Sequence, residues 1–129
     1  MNFAYTIVYV ADVAASLAFF EAAFGLKTHF LHESGAYGEL DTGGTKLAFV
    51  DHATAFDSVG CAYVVAGDSA APLGIEIGLT TDDVGAAYER AVTAGAVALK
   101  PPLTKPWGQT VAYVRCPDGS LVDLCTPMG

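Results

Sequence analysis

Residues Gly74–Gly95 read GIEIGLTTDDVGAAYERAVTAG, which is a strand, a turn and a helix in one run. Ile75, Ile77 and Leu79 alternate with Glu76, Gly78 and Thr80, the period-two pattern of a strand with one apolar face. The opposite face carries a carboxylate, Glu76, followed by small residues. Thr81, Asp82 and Asp83 offer capping oxygens and negative charge where a helix begins. Val84, Ala87, Tyr88, Ala91 and Val92 then recur at helical spacing, and Gly95 stands where a left-handed cap closes the helix.

The same order of parts opens the chain. In Tyr5–Val10, YTIVYV, Thr6, Val8 and Val10 share one side and Tyr5, Ile7 and Tyr9 the other. Asp12 precedes a helical pattern through Leu17, Phe20, Ala23 and Phe24, which Gly25 ends. The offset is 71 residues from Tyr5 to Glu76 and from Asp12 to Asp83, and 70 from Gly25 to Gly95. A period of that length marks a duplicated module, each copy a strand, a helix and three further strands.

In the first copy Lys27–His32 and Gly38–Leu40 read as the second and third strands around a turn at Glu33–Tyr37, and Lys46–Val50 as the fourth after a turn at Asp41–Gly44. In the second, Val97–Lys100 reads as a short strand, Pro101–Gly108 as a Pro-rich loop and Gln109–Arg115 as a strand. Pro117, Asp118 and Gly119 give a tight hairpin turn before the last strand, Leu121–Cys125. Setting Gly44 against Gly119 places Ala48 against Asp123. The Ala-, Gly-, Ser- and Asp-rich segment from Asp51 to Leu73, with CAYVVA inside it, reads as a connection holding one short helix or strand. One domain of two coupled units is expected: module one at about 1–52, a linker at about 53–73 and module two at about 74–129.

Hydrophobic residues make up 53% and charged residues 16% of the 129, which excludes disorder and suggests a further buried surface such as a homodimer interface. The formal charge of -8 with six Lys and Arg argues against a nucleic-acid partner and favours a cationic ligand by steering. No apolar run reaches the roughly 20 residues that span a bilayer, and no signal peptide heads the chain, so a cytoplasmic protein without a membrane partner is expected. Cys61, Cys116 and Cys125 follow no metal-ligand spacing and read as small buried hydrophobes.

Two βαβββ units in tandem, headed by YVADVAASLAFFEAAFGL and TTDDVGAAYERAVTAGA and closed by WGQTVAYVRCPDGSLVDL, resemble the vicinal oxygen chelate superfamily of glyoxalases, extradiol dioxygenases and bleomycin resistance proteins. The resemblance covers Tyr5 to Pro127. It implies an α+β glyoxalase/bleomycin-resistance fold whose curved sheets surround a cavity, within one chain or across a homodimer. Metal-dependent members hold a divalent ion with one residue from the first and last strand of each module, and those positions fall on Tyr5, Ala48, Glu76 and Asp123. Strand parity puts all four opposite the helix-packed faces. With no His in the set, two carboxylates make a weak site even for an oxygen-loving cation, so no cofactor is expected, a divalent metal at Glu76 and Asp123 being the alternative.

Glu76 and Asp123 can instead recognise a cationic ligand, or act as an acid and a base. Trp107, in the loop PPLTKPWGQT, resembles the groove-lining aromatic of bleomycin-resistance-like members, and Tyr5, Tyr9 and Tyr113 are further aromatic candidates. His29, His32 and His52 fall on no mapped position and read as surface or rim residues. The resulting expectation is a metal-independent binder of a small, planar or cationic molecule, of the bleomycin-resistance type and conferring antibiotic resistance in that manner. The alternative is a glyoxalase-like lyase or isomerase.

Overall fold

The computed structural model describes residues 1–128. Module one runs β1 (Tyr5–Val10), α1 (Val13–Phe24), β2 (Thr28–Leu31), β3 (Tyr37–Leu40) and β4 (Lys46–Asp51). The connection holds α2 (His52–Val59) and a single 3-10 turn at Ala66–Asp68. Module two runs β5 (Glu76–Thr80), α3 (Val84–Ala94), β6 (Val97–Thr104), β7 (Thr110–Arg115) and β8 (Leu121–Cys125).

Each module makes one mixed four-stranded sheet, ordered β1-β4-β3-β2 and β5-β8-β7-β6. The first and last strands of a module are parallel, and the other ladders are antiparallel. Registers repeat with the sequence. Tyr5 lies against Lys46 and Ile7 against Ala48, as Glu76 lies against Leu121 and Gly78 against Asp123. The two sheets do not close on one another: β1 and β5 are both edge strands.

Local chemistry sets the helix ends. Asp12 and Asp83 each accept, 3.0 Å away, the N–H of the third residue beyond, on Ala15 and Ala86, satisfying a donor that the first turn leaves free. Gly25, at φ 70°, is the expected left-handed cap of α1, its N–H donating to Glu21 O. Gly95 differs from the expectation: its φ of 121° lies beyond the left-handed helical range, and its N–H is directed between the carbonyls of Ala91 and Val92.

Both helices lie against the inner faces of the sheets and α1 packs on α3. Val10, Leu17, Phe20, Leu47, Phe49, Val84, Ala91, Val114, Val122 and Leu124 belong to one core that draws on both modules. Phe20 and Phe49 are wholly buried with ring centroids 5.1 Å apart, and each such side chain contributes about 2–3 kcal/mol on burial. Arg90 on α3 donates to Ala22 O at 2.8 Å and Glu21 O at 3.3 Å, serving the open C-terminal carbonyls of α1. Gly38 lets α1 approach β3: a Cβ there would stand 2.7 Å from Leu17 Cδ1. Its neighbour Glu39 therefore points to the other, open face.

Two expectations are corrected. Pro101 and Pro102 do not end the strand after Val97; β6 runs to Thr104. It is an edge strand with register shifts across Ala98–Leu103, so the prolines remove no ladder bond that the sheet requires. The connection holds a short helix, as expected; it precedes CAYVVA because Asp51 caps it through Thr54 N–H at 2.9 Å and Gly60 closes it at φ 71°, leaving Cys61–Val65 outside any helix or strand. Cys61 is accordingly exposed, whereas Cys116 and Cys125 are buried.

The connection is fastened at both ends. Tyr63 packs edge-on to Tyr9 at 4.9 Å, and its hydroxyl lies 2.8 Å from His52 Nδ1. Further along, the Arg115 guanidinium donates to Ala66 O at 2.9 Å and Ser69 O at 2.8 Å, while Gly119, at φ 95°, passes so close to Ala66 that a Cβ would stand 2.3 Å from its carbonyl oxygen. Among the described residues, no helix is long and apolar enough to cross a membrane.

Candidate functional site

Residues that alternate with the buried core positions lie on the faces that the helices leave open. On the second sheet that face carries Glu76 and Gly78 on β5, Leu121, Asp123 and Cys125 on β8, and Val111, Tyr113 and Arg115 on β7. Tyr113 is the direct cross-strand partner of Asp123, and Glu76 lies diagonally from it, beside Leu121. Asp123 Oδ1 is shut off from solvent and has no hydrogen-bond partner. Burial pushes the Asp123 carboxyl above the ordinary carboxylate range, an effect that the nearby Cys125 thiol only partly opposes. The neighbouring groups respond to the same environment. Burial first, then the charges of Asp123 and Glu76, raise the Tyr113 phenol, and burial followed by the Asp123 charge raises the Cys125 thiol. Cys125, whose Sγ–H points to Leu79 O at 3.8 Å, is thereby held as a thiol, not a nucleophilic thiolate.

The first sheet's open face carries Tyr5, Ile7 and Tyr9 on β1, Lys46, Ala48 and Val50 on β4, and Tyr37 and Glu39 on β3. Ala48 is wholly buried between Ile7 and Glu39. Tyr37 and Glu39 were not singled out from the sequence. The signal was present in YGEL, where Gly38 and Leu40 take the core side and leave the phenol and the carboxylate together on the other.

Of the residues proposed from the sequence, Glu76, Tyr113 and Asp123 come together on one sheet, and Tyr5, Tyr9 and Ala48 lie on the other. Trp107 joins neither group. It is 65% exposed in the β6–β7 turn, donates from Nε1 to Gln109 Oε1 at 3.0 Å and lines a separate hollow with Pro127 and Met128. Between the β1 and β5 edges runs a gap with two clefts. One of about 610 Å³ is bordered by Glu76, Thr80, Thr6 and Lys46, and one of about 300 Å³ by Tyr9, Tyr63, Ile75, Ile77 and Leu121.

The four positions that would hold the divalent ion do not fit one. Ala48 has no donor atom, Tyr5 offers a phenol, and among the described residues no three His, Cys, Asp or Glu side chains converge as a metal would need.

Paired βαβββ modules with open sheet faces define the glyoxalase-like class of fold. A sequence profile of the Glyoxalase/Bleomycin resistance protein/Dioxygenase superfamily matches residues 2–124, and the chain belongs to that superfamily. Its structure is similar to that of a glyoxalase-related enzyme from Fulvimarina pelagi, with a TM-score of 0.84 and 22% identity over 98% of this chain and 88% of that one. It is also similar to a glyoxalase/bleomycin resistance protein/dioxygenase family enzyme from Burkholderia phytofirmans PsJN, with a TM-score of 0.77 and 20% identity over 98% of both chains. A glyoxalase/bleomycin resistance protein/dioxygenase from Nocardioides gives a TM-score of 0.77 and 18% identity over 99% of this chain and 84% of that one. These identities speak to the fold alone. Comparison with curated proteins gives no match.

Proposed function

We propose that the chain is a metal-independent binder of a small organic molecule, of the bleomycin-resistance type, which it holds on the open face of its second sheet through Asp123, Tyr113 and Glu76. The observation that carries this reading is the buried Asp123 Oδ1 without a partner. A buried polar atom left unpaired is costly, and a ligand N–H or O–H directed at it supplies the missing bond. Glu76, exposed at the rim, adds a negative charge, so a ligand rich in N–H donors or bearing a positive charge suits the face. A homodimer fits the same reading, with exposed apolar residues such as Phe3, Ile75 and Val97 to cover.

The test is titration of a panel of cationic and donor-rich aromatic compounds into the dialysed protein and its D123N and E76Q variants. Saturable binding without metal is expected, weakened about tenfold or more by D123N and less by E76Q. Equal binding by D123N would overturn the assignment. A second reading, a glyoxalase-like lyase or isomerase, draws on the raised Asp123 carboxyl beside the Glu76 carboxylate as a proton-transfer pair. A stoichiometric divalent ion that survives dialysis would favour that reading over the metal-independent one.

A further inference from the structure

The two clefts between β1 and β5 occupy repeat-related places, and their chemistry differs. The ladder position that Lys46 takes beside Tyr5 is taken by Leu121 beside Glu76, so Lys46 and Glu76 border the larger cleft and Leu121 the smaller. Among the described residues, no charged side chain borders the smaller one, in a chain whose formal charge is -8. An ion would find nothing there to offset the loss of its water, so the cleft suits a neutral molecule. It also has a third wall. Tyr63, Val64 and Leu73 of the connection line it, whereas no residue of the connection borders the larger cleft. That wall is fixed, by Tyr63 edge-on to Tyr9 at 4.9 Å and by Arg115 donating to Ala66 O and Ser69 O. At about 300 Å³ the space lies at the small end of ligand pockets, and aromatic edges beside branched aliphatic side chains suit a flat ring system.

One buried polar atom in the lining is unanswered. The Tyr63 hydroxyl is engaged with His52 Nδ1 at 2.8 Å, but Ser120 Oγ, on a residue only 8% exposed, is shut off from solvent and has no partner. A buried hydroxyl without a bond is costly to keep. It hangs on a single torsion, donates as well as accepts, and can turn to a ligand oxygen that enters the cleft.

We propose that the smaller cleft is a binding site for a neutral aromatic molecule carrying one hydroxyl, with the ring between Ile77, Leu121 and Tyr63 and the oxygen on Ser120. It is separate from the Asp123 face, and it holds none of Tyr5, Ala48, Glu76 and Asp123.

The probe is 2-naphthol, with naphthalene lacking the oxygen and 2-naphthalenesulfonate bearing a charge, titrated by naphthyl fluorescence into the full chain and its S120A, V64D and D123N variants. On the unaltered protein 2-naphthol is expected to saturate, naphthalene to bind more weakly and the sulfonate not to bind. S120A should weaken 2-naphthol about tenfold and leave naphthalene unchanged, and V64D should weaken both several-fold. Because the Ser120 hydroxyl has no partner to lose, the ligand-free Tm of S120A should match or exceed that of the parent. Val64 is 67% exposed, so V64D provides a folded variant in any case. The assignment is overturned if the parent does not bind 2-naphthol saturably, if S120A binds it as well as the parent, or if S120A weakens 2-naphthol and naphthalene alike, which would make Ser120 structural. Loss in D123N with S120A unaffected would also overturn it and would place the naphthol on the Asp123 face.

Discussion

Where the first module sets Ile7 against Ala48, the second sets Gly78 against Asp123, and on the next strand Glu39 of the first corresponds to Tyr113 of the second. The carboxylate has moved from the third strand of the first module to the last strand of the second, while the phenols Tyr37 and Tyr113 stay on equivalent strands. Behind them the modules hardly differ: Val8, Val10, Leu47 and Phe49 face the helices in one, and Ile77, Leu79, Val122 and Leu124 in the other. Packing explains the contrast. A core position answers to neighbours on every side, so a change there leaves a cavity or a clash. An open-face position answers mainly to solvent and ligand, and the duplicated faces are free to acquire different chemistry.

The comparison breaks most sharply at the turns before β4 and β8. Gly43 and Gly119 both have positive φ, 88° and 95°, but a Cβ on Gly43 meets nothing within 4 Å, while one on Gly119 meets the Ala66 backbone at 2.3 Å. Gly119→Ala should therefore cost about 3 kcal/mol or more, combining backbone strain with a clash that cannot rotate away, and Gly43→Ala about 1 kcal/mol. Urea unfolding of the two variants measures the gap; equal losses would mean that the connection does not rest on the second module as described.

Next in size is the pH dependence that the Asp123 face imposes. Because burial raises its folded carboxyl above the unfolded value, the folded state holds the proton more tightly, and stability from this group is greatest below the unfolded carboxylate range near pH 4. That contribution falls as pH rises through the raised value. Asp123→Asn should flatten this decline, giving a variant whose Tm relative to the parent improves from pH 4 to pH 7. A constant difference across the range would show that the carboxyl is not enclosed.

The smallest effect sharpens the likeness instead of the difference. Asp12→Ala and Asp83→Ala each remove one capping bond of 3.0 Å and should each cost about 1 kcal/mol, equal within a few tenths. Thermal unfolding of the pair checks whether the helices are energetic as well as geometric copies.

The repeat was legible because its markers are the residue types that backbone geometry demands: an Asp at each N-cap, a glycine after each helix, alternation along the first and last strands. The same markers placed Glu76, Ala48 and Asp123 on a common kind of face. What escaped was written in weaker signals. Pro101 and Pro102 read as a loop because strand position within a sheet, and hence tolerance for a missing N–H, is not a local property. Glu39 sits on a strand of four residues, too short for alternation to assert itself against the turns that flank it. Trp107 was put forward on its likeness to a groove-lining aromatic, and where it stands depends on how far a turn projects beyond the sheet, which no periodicity encodes.

Those prolines also bear on how the chain meets others of its kind. Every residue of β6 is exposed, and an uncovered edge of that length would ordinarily invite a neighbouring polypeptide to add itself as a ninth strand. A newcomer would meet a strand whose register is broken and which at Pro101 and Pro102 has no hydrogen to offer. The edge that looks most available is thereby made unattractive to runaway fibre growth.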